Sequence, residues 1–106
     1  MFIAWTTVAS AADADRLARE SVALGLAACV QIDGPVVSHF RWEGKLDHAE
    51  EYRLMFKCLP TQLPALEAYI LARHPYATPE WIAVRADLVA EKYLSWATAN
   101  STTLPL

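Results

Sequence analysis

An α+β fold is what this sequence predicts: a ferredoxin-like βαββαβ sandwich with a long bent hairpin and a C-terminal helix. Three observations lead there. Four segments alternate or are rich in β-branched and aromatic residues, two stretches between them show helical spacing, and two adjacent strand segments are too long for a body of 106 residues. Strand, helix, hairpin, helix, strand, helix in that order predicts an antiparallel sheet with the two main helices on one face. The length suits one core and not two, so residues 1–106 are read as a single domain.

The first segment, "FIAWTTV", is β-branched and aromatic and ends at small residues, which predicts a strand. Ser10 followed by Asp13 resembles a capping box, and Ala14, Leu17, Ala18, Ser21 and Val22 recur with helical spacing, predicting a helix over 11–24. Gly25 can adopt the left-handed conformation that stops it. Asp15 with Arg19 and Arg16 with Glu20 are four apart, as on a solvated face.

Alternating segments then flank the turn signal "EGK" around Gly44. The first arm, 27–42, would run roughly 50 Å at about 3.3 Å per residue, against a radius of gyration of about 13 Å for a globule of this length. Gly34 and Pro35 predict a bulge or bend in mid-arm. Without a partner for the distal half, Val37, Phe40, Trp42, Tyr52 and Leu54 would be expected to expose an apolar patch, so strand pairing between subunits is expected, with a hairpin curled back on its own core as the alternative.

Thr61 is positioned to cap a second helix with Pro64 in its first turn and Leu63, Leu66, Ile70 and Ala72 or Arg73 on its core side; Pro75 ends it. "EWIAVRA" alternates as a strand after Thr78-Pro79. Asp87 is placed to cap a last helix, "LVAEKYLSWATA", with Val89, Tyr93, Leu94 and Ala97 inward, and "NSTTLPL" is expected to fray.

Composition narrows the function classes. A hydrophobic content of 55% is high for a small domain and points to an oligomer. A net charge of -3 argues against nucleic acid, whose phosphates need clustered Lys and Arg. No apolar run approaches the roughly 20 residues that span a bilayer, and the start lacks the basic residues of a signal peptide, so no membrane association and a cytoplasmic location are expected. Cys29 and Cys58 sit in apolar runs and read as packed, reduced thiols; a disulfide is not implied.

Several motifs occur together and in order: "TTVAS", "LGLAACVQI", "FRWEGKL", the strand around Lys57, "HPYATPE" and "KYLSW". Over nearly the whole chain this set resembles the CutA divalent-cation tolerance proteins. The resemblance implies a fold similar to the PII-type signalling proteins, assembled as a homotrimer whose long hairpins pair between subunits. It also implies a part in tolerance of, or response to, copper and other divalent ions, with weak binding of Cu(II) or another divalent cation and no assigned reaction. Copper ligands proposed for bacterial members, a cysteine after strand one and a histidine pair before Pro-Tyr, match Thr6, Arg73 and His74 here, so His74 alone is kept as a metal candidate. Gln31 and Arg85 depart from the family pattern without disturbing the fold.

The candidate ligand-binding cleft comprises Trp42, Lys57, His74, Tyr76 and Glu80, set between subunits. Trp42 and Lys57 enter through the resemblance; a Trp at an interface also serves as a packing anchor. His74 titrates near neutrality and suits a ligand or proton-transfer role, or else bonds carbonyls at a helix end. His39 and His48 have no spaced partner, and the acidic run 47–52 reads as solvated.

The leading reading is a small-ligand or ion-responsive binding or signalling module with no catalytic residues, since no nucleophile with a matched base, phosphate loop or paired-carboxylate motif is present. The alternatives are a small acid-base enzyme using His74 and Glu80, and a scaffolding trimer. A copper chaperone is excluded because the first loop, "TTVASAAD", has no C-x-x-C.

Overall fold

A computed structural model of the chain describes residues 1–103. Its elements are β1 (Phe2–Val8), α1 (Ala11–Ala23), β2 (Cys29–Trp42), β3 (Lys45–Cys58), α2 (Leu63–Arg73), β4 (Ile82–Arg85) and α3 (Glu91–Ala99). The strands form one sheet in the order β2-β3-β1-β4, every pair antiparallel, which is the arrangement expected of βαββαβ. The core lies between the sheet and the two main helices. Ala4 and Val8 of β1 and Leu54, Phe56 and Cys58 of β3 meet Ala14 and Leu17 of α1 and Leu66 and Ile70 of α2, all fully buried. Burying a large apolar side chain contributes roughly 1.5–3 kcal/mol, so Phe56, Leu17, Leu54, Leu66 and Ile70 supply much of the drive to fold.

Helix α1 begins as its sequence predicts, with the Ser10 hydroxyl accepting from the Asp13 amide at 3.1 Å. It ends through Gly25 at φ 71°, whose amide returns to the Val22 carbonyl while that of Leu26 reaches Ser21. The Asp15–Arg19 and Arg16–Glu20 pairs form on the outside, at 2.9 and 4.0 Å.

Two helix starts differ from expectation. Thr61 does not cap α2; that place belongs to Gln62, whose Oε1 accepts from the Leu59 amide and whose Nε2 donates to the Gly25 carbonyl, fastening the α2 entrance to the end of α1. A long amide side chain reaches both groups at once, and a hydroxyl does not. Leu66 and Ile70 face the core, whereas Ala72 and Arg73 are exposed and Arg73 stacks over Tyr69 at 4.2 Å. Asp87 likewise caps nothing: α3 starts at Glu91 after Ala90, and of its expected inward residues Ala97 is buried, Tyr93 and Val89 are half-buried and Leu94 is exposed. Residues 100–103 are tied rather than frayed, with Ser101 bonding the Ala97 carbonyl and Thr103 that of Leu24; the rest of that expectation concerns 104–106, outside the described residues. Both cysteines are free thiols, and burial pushes Cys58 up to about 11.

The hairpin dominates the outline, whose longest extent is 46 Å. Glu43 and Gly44 form its two-residue turn with φ values of 51° and 76°, both left-handed as a type I′ connection requires. The pairing runs from Trp42↔Lys45 to Val36↔Glu51, then slips by one residue at Gly34-Pro35, where two residues of β2 face one of β3. Strand β1 covers β3 only as far as Tyr52, so 45–51 have no strand on that side.

Candidate functional site

The loop "HPYATPE" brings the site together. His74 follows α2 in extended geometry and is buried. Its Nε2 lies 2.9 Å from the Thr7 carbonyl oxygen and 3.0 Å from Thr6 Oγ1, and its Nδ1 accepts from the Tyr76 amide at 3.1 Å. The Thr6 hydroxyl donates its own proton to the Glu80 carbonyl at 2.7 Å. This network fixes a neutral imidazole with its proton on Nε2. Burial pushes His74 down from its ordinary value, more than the Thr7 carbonyl and the charges of Asp13 and Glu51 raise it.

Tyr76 stacks against His74, ring centres 4.9 Å apart, and donates its hydroxyl to Glu51 Oε2 at 2.8 Å. Burial first and this bond second push the phenol up to about 12. Glu51 is 8% exposed. A groove of about 950 Å³ opens beside the pair, walled by Phe40 and Trp42 of the hairpin, Pro79 and Glu80 of the loop, and Glu51 and Tyr76 at its polar side. Size and mixed lining match those of small-molecule sites.

Of the residues marked from sequence, Trp42, Tyr76 and Glu80 meet around this groove. His74 does not line it but packs against Tyr76, which does. Lys57 stands apart, in a smaller depression with Ile3, Val89 and Tyr93, its Nζ 5.6 Å from the Tyr93 ring. Glu51 and Phe40 were not singled out as site residues: Glu51 sits in an acidic run that reads as solvated, and only the loop packed over β3 buries it. The acid-base alternative finds no ready pair, because both His74 nitrogens are engaged and Glu80 is exposed, bonded through its carbonyl.

The positions matching the proposed copper ligands do not fit a metal ion. Thr6 lies inside β1 with its hydroxyl committed, Arg73 is a cation stacked on Tyr69, and neither nitrogen of His74 has a lone pair to offer. Among the described residues, no group of three or more His, Cys, Asp or Glu side chains is placed to hold a metal.

Known proteins agree with this architecture. The model of the CutA1 divalent ion tolerance protein family matches residues 2–100. The divalent-cation tolerance protein CutA of Yersinia pestis (strain Pestoides F) is 37% identical over 94 residues, covering 89% of this chain and 79% of its own. The crystal structure of CutA from Xylella fastidiosa superposes with a TM-score of 0.90 at 31% identity, covering 93% of this chain and 95% of that one. The periplasmic divalent cation tolerance protein CutA from Archaeoglobus fulgidus gives 0.90 at 29% identity, with 95% and 99% covered. A family match over almost the full length, with a relative 37% identical and solved structures that superpose over nearly the whole chain, leaves one conclusion: the chain belongs to the CutA divalent-ion tolerance family.

Proposed function

We propose that this protein serves divalent-ion tolerance as a homotrimeric binding module that senses a small ligand and carries out no chemistry of its own. The groove beside Glu51 carries the proposal. Its walls are apolar, and the Glu51 carboxylate keeps one oxygen on Tyr76 and has the other to offer a ligand donor. That pairing favours a small molecule with an apolar body and a hydrogen-bond-donating, cationic end. Copper is not the ligand of this groove in our reading, given the occupied nitrogens of His74.

The hairpin supports assembly. Val37, Phe40 and Trp42 are 57%, 39% and 56% exposed in the single chain, and 45–51 have a free backbone edge ready to accept a strand. Ile82 and Val84 expose further apolar surface on the edge strand β4. The two free thiols suit a reducing compartment, hence the cytoplasm.

Native mass spectrometry of protein purified from cells tests both parts. A three-chain mass carrying a small organic ligand is expected, the trimer weakened by Trp42→Asp and the ligand lost in Glu51→Gln. A compact single chain at micromolar concentration would end the trimer proposal, and a ligand kept by Glu51→Gln would end the groove proposal.

A further inference from the structure

His39 and His48 are nine residues apart in sequence, yet the hairpin sets them directly opposite each other. They belong to the regular ladder from Val36↔Glu51 to Trp42↔Lys45, beyond the bulge, so their side chains leave the same face of the ribbon. The ring centres are 5.7 Å apart with 33° between the planes, and both residues are exposed.

That separation is close to what a shared metal ion demands. With a metal–nitrogen bond of about 2.0–2.1 Å, each ring centre lies about 3.2 Å from the ion, and two rings at a tetrahedral angle have centres about 5.2 Å apart. A small rotation of two exposed side chains closes the difference. We infer that His39 and His48 form a two-imidazole site for a borderline transition-metal cation such as Zn²⁺. Imidazole selects such ions over Mg²⁺ and Ca²⁺, which prefer oxygen.

With two protein donors, water fills the remaining positions, or Glu50, which shares the face two residues along β3 and stands opposite Val37. The site adjoins the groove, which His39 also borders, but stands independently of the groove's ligand. It differs from the positions around His74, whose nitrogens are already occupied.

Titration calorimetry of the full chain with Zn²⁺, run beside Mg²⁺, tests it. One Zn²⁺ per chain is expected, no Mg²⁺ heat, and an affinity at least tenfold weaker in both His39→Gln and His48→Gln. Nitrogen-15 spectra should show both rings shifting together as Zn²⁺ is added. Absence of Zn²⁺ binding in the parent, unchanged affinity in the two variants, or a loss confined to one of them would each overturn the shared site. Circular dichroism of the variants confirms that the hairpin is intact, since neither side chain is buried.

Discussion

Tyr76 gives its hydroxyl to Glu51 across 2.8 Å, fastening the α2–β4 loop to the middle of β3. A nearly buried carboxylate thus depends on one phenol. Replacing Tyr76 by Phe leaves Glu51 without that donor, and an unmatched buried acceptor costs about 1–3 kcal/mol. Urea denaturation should register a loss of that size.

The same pair sets an alkaline limit. Tyr76 titrates at about 12 in the folded chain, against about 10 when unfolded, so its contribution is complete below about pH 10 and is lost as pH rises toward 12. Phenolate absorbance should show a late step that disappears in Tyr76→Phe, leaving the raised step of Tyr69, which burial and its bond to Glu20 delay.

His74 sets an acid limit of opposite sense. Its folded value lies below the ordinary one near 6.5, so its stabilising effect is present above that pH and is lost as pH falls through the folded value. Gln at this position keeps a donor for the Thr7 carbonyl but does not titrate. The melting temperature should drop less between about pH 7.5 and 5.5 in His74→Gln than in the parent.

Gln62 and Thr61 offer a contrast between neighbours. Gln62→Ala removes the bonds to Leu59 and Gly25 together and should cost about 1–3 kcal/mol. Thr61→Ala, on an exposed side chain that caps nothing, should stay within about 0.5 kcal/mol. Chemical denaturation of the two variants side by side decides between a hydroxyl cap and an amide clasp.

Gly25 is held by conformation and by space. At φ 71° an added Cβ would stand 2.9 Å from the Thr102 carbonyl carbon, which is backbone and cannot swing aside. Gly25→Ala should therefore destabilise by about 1 kcal/mol or more, read as a lowered melting temperature.

Local signals made much of the fold legible. β-branched and aromatic residues marked β1, Ser10 and Gly25 bracketed α1, and arm length against body size marked a hairpin that outgrows its domain. The helix start at 62 escaped because its fixing contact is tertiary: Gln62 is recognisable as an anchor only once the end of α1 lies beside it, while Ala90 has no side-chain cap to read. Glu51 escaped for the same reason. The histidine pair was nonetheless accessible, since His39 stands four residues before Glu43 and His48 four after Gly44, and a two-residue turn makes such positions opposite. Lys57 entered through its family position, and in the single chain it lines a depression of its own with Ile3 and Tyr93.

The surplus residue at Gly34-Pro35 acts as a change of phase along β2. On the inner side Ile32 shares a face with Leu54 of the core; on the outer side Phe40 and Trp42 share one with Asp47 and Lys45, turned the other way. Excising one residue there would join the two registers into one unbroken ladder with every outer pair kept, His39 still opposite His48. What would go is the local bend and added twist that let so long an arm turn away from its own body.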